Sequence, residues 1–124
     1  MIVVDASVLI AHLDERDALH GQALERLLAA ADAALGASTL TLAEVFVGPV
    51  RRGRLDDALA AIAALEVQEI PLAPGAAGEL ATLRADTGLK LPDCCVLLAA
   101  RSAGASNVLT FDDRLANAAR RALS

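Results

Sequence analysis

Aromatic side chains are almost missing from this chain: among 124 residues only Phe46 and Phe111 occur, with no Trp and no Tyr. That argues against a base-stacking platform of the kind that binds single strands without sequence preference. Cysteine is nearly as scarce. Cys94 and Cys95 are adjacent in an apolar run, which offers neither a disulfide framework nor the spaced ligands of a zinc site, so both read as core residues. Lysine occurs once, as Lys90, and the net charge is −5. That argues against a simple nucleic-acid binder with a broad basic face but leaves room for an enzyme whose acids gather around cations. Long apolar runs are absent as well: Cys94 to Ala100 falls far short of the ~20 residues a membrane span needs. The amino terminus has no basic region and meets Asp5 directly after Ile2-Val3-Val4, unlike a signal peptide. The expectation is a cytoplasmic protein with no membrane partner.

What is present is apolar and largely helical in character. Hydrophobic residues make up 56 % of the chain, much of it Ala and Leu, which favour helices. The length suits one domain, residues 1–124, and is too short for two with proper cores. A domain this small hides so much apolar surface poorly by itself. A face for self-association or for a partner is therefore expected, with dense helix packing as the alternative.

Strand and helix signals alternate along the chain. Ile2-Val3-Val4 is a continuous β-branched run, the mark of a strand buried on both faces. Ser7 to Leu13 reads as a helix, and a second is expected from near Asp17 to about Ala34, with Leu19, Ala23, Leu27 and Ala31 on one face. Leu35 to Ala37 suggests a second strand. Ser38 or Thr39 can cap the following helix, whose end Gly48-Pro49 should disturb. Arg54 to Leu65 is amphipathic, and Glu66 to Ile70 is a third strand closed by Pro71. Pro74-Gly75 precedes a helix to about Asp86, and Pro92 opens a nearly all-apolar helix from Asp93 to about Ala103. Asn107 to Thr110 is the last strand, and Asp112 starts the last helix. This alternation implies an α/β architecture with a parallel sheet covered on both sides.

In such sheets ligands bind beyond the carboxyl ends of the strands. Asp5 closes the first strand and Asp112 follows the last, and strands seldom favour Asp. Each has a plain structural alternative. Asp5 could cap the helix after it, although Ser7 could do that too, and Asp112-Asp113 has the look of a helix N-cap. Glu44 has Leu40, Thr41, Val47 and Gly48 as its helical neighbours, so no Lys or Arg lies within one turn to pair with it. It is either a solvated Glu or a carboxylate that a cation compensates. Asp93 could serve only the dipole of its own helix, but that helix is apolar all round and should be buried, which carries Asp93 inward. Four hard oxygen ligands without a His/Cys cluster suit Mg²⁺, or Mn²⁺, better than a softer metal. His12 and His20 read as ordinary polar-face residues.

The opening Ile2-Val3-Val4-Asp5-Ala6-Ser7 resembles the first motif of PIN-domain proteins, and of the VapC-type toxins of toxin–antitoxin pairs in particular. Leu42-Ala43-Glu44-Val45 looks like the second motif, and Leu91-Pro92-Asp93-Cys94 the third, with Cys94 where Ala is common. Leu109-Thr110-Phe111-Asp112-Asp113-Arg114-Leu115 resembles the last, Asp112 being the better match to its acid and Asp113 the other candidate. Asp14 to Leu28, with His20 before an Ala/Leu helix, also reads like the family, so the similarity covers essentially the whole chain.

The resemblance implies a PIN-like three-layer sandwich, a short central parallel sheet flanked by helices. It also implies an Mg²⁺- or Mn²⁺-dependent endoribonuclease leaving a 5′-phosphate and a 3′-hydroxyl. Asp5, Glu44, Asp93 and Asp112 would be its acids. Asp5 and Asp93 would be direct metal ligands, Asp112 a ligand directly or through water, and Glu44 would orient or deprotonate the attacking water. Ser7, Thr110 and Asp113 would support them. Clustered acids repel without metal, so activity is expected to fall at mildly acid pH. Arg51, Arg52 and Arg54 form one basic group that could grip RNA phosphates, and Arg114, Arg120 and Arg121 a second, unless both are solvated helix ends. The resemblance further implies a homodimer and a cognate antitoxin partner that places a basic side chain among the acids. A catalytically weak RNA- or antitoxin-binding module of the same fold is the alternative. A receiver-type signalling domain is disfavoured because the single Lys, Lys90, is in the wrong place. A flap nuclease is disfavoured by the lack of any added DNA-binding segment.

Overall fold

A computed structural model describes residues 1–123; Ser124 lies outside the described residues. Four short strands, β1 (Ile2–Val4), β2 (Leu35–Ser38), β3 (Gln68–Ile70) and β4 (Asn107–Leu109), form one parallel sheet in the order β3-β2-β1-β4. Seven helices surround it: α1 (Ala6–Leu13), α2 (His20–Ala29), α3 (Thr39–Arg51), α4 (Leu55–Ala64), α5 (Ala76–Thr87), α6 (Leu91–Ser102) and α7 (Asp113–Leu123). The expected α/β sandwich is therefore present.

Alternation along β1 sorts the core into two layers. Val3 faces a cluster built from α5, α6 and α7, including Leu83, Leu97 and Leu115. Val4 faces the other, built from α1, α2, α3 and α4, including Leu9, Leu27, Val45 and Ile62. A strand buried on both faces must read as a continuous apolar run, and Ile2-Val3-Val4 does. Helix α6 explains the other long apolar run: every residue from Cys94 to Ala100 is buried, both cysteines included. Truncating Leu97, 1 % exposed, would cost about 2–5 kcal/mol. Gly36 shows how tightly the sheet centre closes: a Cβ there would stand 2.8 Å from both Ile70 Cδ1 and Met1 Sδ.

Several expected boundaries move, each for a local reason. The second helix begins at His20 rather than Asp17, because Asp17 Oδ1 accepts the Leu19 N–H at 2.8 Å in a turn. It stops at Ala29, and successive turns at Ala30 to Ala33 feed the chain into β2. Helix α3 runs through Pro49 to Arg51. Proline forfeits only its own amide bond there, in the last turn, while Arg52 N–H reaches the Gly48 carbonyl at 3.2 Å. Strand β3 starts at Gln68 because Glu66, at φ 56°, takes the left-handed position that ends α4. Ser38 is the residue that caps α3, accepting the Thr41 N–H at 3.2 Å, while Thr39 turns to Glu69. No helix among the described residues is long and apolar enough to cross a membrane.

Candidate active site at the carboxyl edge of the sheet

The carboxyl ends of β1 and β4 meet at one corner. The Asp5 amide donates to the Leu109 carbonyl at 2.8 Å, extending the β1–β4 ladder by one step and bringing Asp5 beside Thr110. Asp5 is buried, 8 % exposed, a costly place for a carboxylate unless its oxygens are satisfied. They are: Oδ2 accepts the Thr110 hydroxyl at 2.7 Å and the Ser7 hydroxyl at 2.9 Å. Asp5 occupies the N-cap position of α1, but its side chain makes no capping bond, so the plain alternative for it fails. Ser7 does not cap either; it lies inside α1 and accepts the Phe111 N–H at 3.1 Å.

Asp112 does two things. Oδ1 caps α7, accepting the Arg114 and Leu115 amides at 2.9 and 3.2 Å, so the capping alternative is correct for that oxygen. Its own amide donates to Thr110 Oγ1 at 3.0 Å, which ties it to the Asp5 corner. Its charge also contributes to raising the Asp93 carboxyl, after burial and Asp5, so the two acids are near enough to interact. Asp113 is in the first exposed turn of α7, with no hydrogen bond of its side chain to the other acids.

Two acids come in from helices. Asp93 is in the first turn of α6, half-buried, and its carboxyl is pushed up first by burial and then by Asp5 and Asp112. Lys90 and Arg114 pull the other way, which sets two cations on the Asp93 side of the site. Glu44 is on α3 and exposed, yet its carboxyl end is raised by partial burial, then by Asp5 and Asp93. Asp5 is therefore the shared neighbour of both, and the four expected acids converge on one corner.

Among the described residues no three His, Cys, Asp or Glu side chains form a ready metal cage. The donor set nonetheless fits a hard divalent ion: all four groups are carboxylates, and two are raised by burial and then by their neighbours' negative charge. Mg²⁺ keeps several waters and binds through one or two carboxylates plus phosphate oxygens, so it needs no closed cage. The larger hollows, one beside α2 and one between α5 and α6, contain none of the four acids. Glu44 and Asp112 are exposed and Asp93 half-buried, so the corner opens to the surface above the buried Asp5.

Other expected residues are elsewhere. Arg51 and Arg52 sit at the far end of α3, about 10 Å along the axis from Glu44, and Arg54 pairs with Asp57 at 3.4 Å. Arg120 and Arg121 are in the last turn of α7, away from Arg114 at its start. His12 and His20 are not polar-face residues: their rings stack 6.3 Å apart between α1 and α2, and His20 Nδ1 lies 2.9 Å from the Ala11 carbonyl. The residues that sequence reasoning missed are Arg26, which reaches the Thr110 carbonyl, and Lys90 as a neighbour of Asp93. Lys90 was detectable from its place three residues before Asp93; Arg26 had no comparable signal.

A parallel sheet with carboxylates gathered at its carboxyl edge defines an α/β protein with an acidic surface site. The chain belongs to the PIN-domain family, which matches residues 2–121. No curated protein matches it. Among solved structures, it resembles VapC20 of Mycobacterium tuberculosis, described as a sarcin-ricin loop cleaving toxin. The TM-score is 0.76, at 24 % identity over 95 % of each chain. A toxin–antitoxin complex from Klebsiella pneumoniae gives 0.72, at 24 % identity over 90 % of this chain and 87 % of that one. VapBC2 from Rickettsia felis, bound to a DNA fragment from its promoter, gives 0.66, at 16 % identity over 90 % and 89 %.

Proposed function

We propose that residues 1–124 form one PIN domain acting as a divalent-metal-dependent endoribonuclease, the toxin of a toxin–antitoxin pair. The observation that carries this is the convergence of Asp5, Glu44, Asp93 and Asp112, from four separate parts of the chain, on one open corner. Such a cluster costs stability unless a cation compensates it, and an open corner admits a polynucleotide where a closed pocket would not.

Asp5 and Asp93 would hold Mg²⁺ or Mn²⁺, with Asp112 joining directly or through water by its second oxygen. When bound, the ion lowers the pKa of its water and offsets charge on the scissile phosphate. The chain's own groups do the rest. Thr110 and Ser7 fix the Asp5 carboxylate by two hydroxyl donors to Oδ2, so that Oδ1 would be available to hold the ion. Glu44, ionised and close enough to Asp5 and Asp93 to feel their charge, would take a proton from the attacking water. Attack at phosphorus with the 3′-oxygen leaving gives a 5′-phosphate and a 3′-hydroxyl. Lys90 and Arg114 flank Asp93 and would meet phosphates near the cut, while Arg51, Arg52 and Arg54 would meet more distant ones. The neighbours solved as toxin–antitoxin complexes support a cognate antitoxin as partner, and exposed Leu28, Val50 and Leu91 support apolar contact with it or with a second copy.

A panel of structured RNAs incubated with Mg²⁺, Mn²⁺ or EDTA tests this with wild type and Asp5→Asn. Cleavage is expected only with a divalent ion and only with Asp5 intact. Cleavage that survives EDTA or Asp5→Asn would overturn the mechanism.

A further inference from the structure

Arg26 belongs to α2, is exposed, and lies in no family-like acidic motif. On sequence it is a solvated helix residue. In the fold its guanidinium spans 84 residues of chain to reach the exit of β4: Nη1 donates to the Thr110 carbonyl at 2.8 Å. Its Cζ also stands 4.7 Å from the centroid of the Phe111 ring.

The two contacts hold both sides of one peptide unit. Strand β4 ends at Leu109, so the Thr110 carbonyl has left the sheet ladder and needs another donor. Arg26 supplies it. The flat guanidinium against Phe111 then fixes how that peptide is turned, which a single hydrogen bond would leave free. Everything at the corner hangs from this unit. The Thr110 hydroxyl donates to Asp5 Oδ2 at 2.7 Å and accepts the Asp112 amide at 3.0 Å. The Phe111 amide donates to Ser7 Oγ at 3.1 Å, and Ser7 in turn donates to Asp5. Tilting the Thr110-Phe111 peptide would therefore displace both hydroxyl donors of Asp5 and the backbone of Asp112 together.

The geometry points to Arg26 as a positioning residue for the reaction: clamping Thr110 and Phe111 from α2 keeps Asp5 and Asp112 in register for the ion. This rests on the ribonuclease reading above, and it goes beyond that reading because Arg26 touches none of the acids. A lysine would keep a donor for the carbonyl and lose the flat face. A leucine would lose both.

The test compares wild type, Arg26→Lys, Arg26→Leu, Phe111→Leu and the Arg26→Leu/Phe111→Leu pair. Arg26→Leu is expected to lower kcat about 10- to 100-fold with KM unchanged, and to weaken Mn²⁺ binding by about tenfold or more in calorimetric titration without RNA. Arg26→Lys should recover a large part of both losses. Phe111→Leu should cost less than Arg26→Leu, and the double variant no more than Arg26→Leu alone, because the two contacts act as one unit. A raised KM with kcat kept would show that Arg26 grips RNA instead, and would overturn the proposal. So would losses that vanish once activity is expressed per folded molecule. Amide hydrogen exchange at Phe111 and Asp112, measured without metal or RNA, keeps this separate from the ribonuclease reading. Should wild type cut no RNA, faster exchange at these amides and weaker Mn²⁺ binding in Arg26→Leu still uphold the clamp. Unchanged exchange or unchanged Mn²⁺ affinity overturns it.

Discussion

The four acids of this site come in two pairs that are held in opposite ways. Asp5 and Asp112, at the ends of adjacent strands, are held by hydroxyls and amides: Ser7 and Thr110 serve Asp5, Thr110 takes the Asp112 amide, and Asp112 itself caps α7. Glu44 and Asp93, carried on helices, have no such partners among the described residues, and burial and their neighbours' charge raise both. Strand ends supply a rigid, hydrogen-bonded anchor. The helices supply acids whose charge is tolerated only at a cost, and a cation would remove that cost. The difference separates what builds the corner from what the corner is for.

The largest effect should come from removing charge on the anchored side. Asp5→Asn keeps a carbonyl oxygen for both hydroxyls and removes a charge that raises Glu44 and Asp93. Its hydrogen bonds to a neutral oxygen are weaker, so the fold should survive and the metal-free Tm should rise less than in Asp93→Asn. Activity should nonetheless fall by at least about 10³-fold, roughly 4 kcal/mol of barrier. Asp93→Asn should also abolish cleavage, but it should raise the Tm of the metal-free protein, because it removes a carboxylate that its surroundings disfavour. Thermal melts in EDTA beside initial rates decide the matter. Equal Tm shifts in the two variants would erase the distinction between the pairs.

Glu44→Gln sharpens the same contrast at a smaller scale, with an expected loss of about 10²- to 10³-fold in kcat. Its pH signature has a definite sign. The Glu44 and Asp93 carboxyls titrate higher in the folded chain than in the unfolded one, so between the two values the folded chain holds more protons. Metal-free stability therefore falls as pH rises through that interval, above the ordinary carboxylate value of about 4, and returns on acidification. His12 runs the other way, since burial and then His20 lower it, so stability gains as pH rises through the imidazole range. Subtracting wild type from Glu44→Gln cancels His12. Melts in EDTA taken upward from about pH 4, the unfolded carboxylate value, should show the variant's advantage growing with pH until the folded value is passed. A gap constant from the start would sink the account. With metal the same carboxylates are wanted ionised, so activity should fall on the acid side.

How much of this was legible in the sequence follows the same division. Strands buried on both faces write themselves as apolar runs, and Asp5 could be placed because it ends one. Helix α6 was legible because Cys94 to Ala100 leaves no polar face, which correctly carried Asp93 inward. Glu44 stood out through the missing cation within a turn. Contacts made by tertiary reach were not legible. Nothing in the spacing of Arg26 and Thr110 signals a bond across the sheet edge, and the stacked His12 and His20 looked like surface residues for the same reason. Asp112 was undecidable because one residue both caps α7 and lies close enough to raise Asp93, and the spacing of Asp112-Asp113 shows only the first.

A fourth variant probes the hydroxyls that separate the pairs. Thr110→Val keeps the shape, removes one donor from Asp5 and strands the Asp112 amide. Loss of about 10- to 100-fold in activity is expected, with roughly 1–3 kcal/mol of stability from the unmet buried groups. Ser7→Ala should cost less, since Thr110 still donates to the same oxygen. A Ser7→Ala loss larger than that of Thr110→Val would reverse the order of the two donors.

The smallest effect is expected where basic residues stand far from both pairs. Arg51 and Arg52, about 10 Å along α3 from Glu44, would on the proposed reading meet phosphates beside the cut rather than the cut itself. Arg54 is partly committed to Asp57, an exposed pair worth little energetically. Changing Arg51 and Arg52 together to Gln should raise KM several-fold, leave kcat alone, and flatten the salt dependence of binding by about 0.7 per lost phosphate contact. The acids should show the opposite split, in kcat. Binding measured on the Asp5→Asn background across a salt series isolates the arginines from the chemistry. An unchanged slope there would return Arg51 and Arg52 to the status of solvated helix ends, and a fall in kcat would mean that α3 positions Glu44 through its far end.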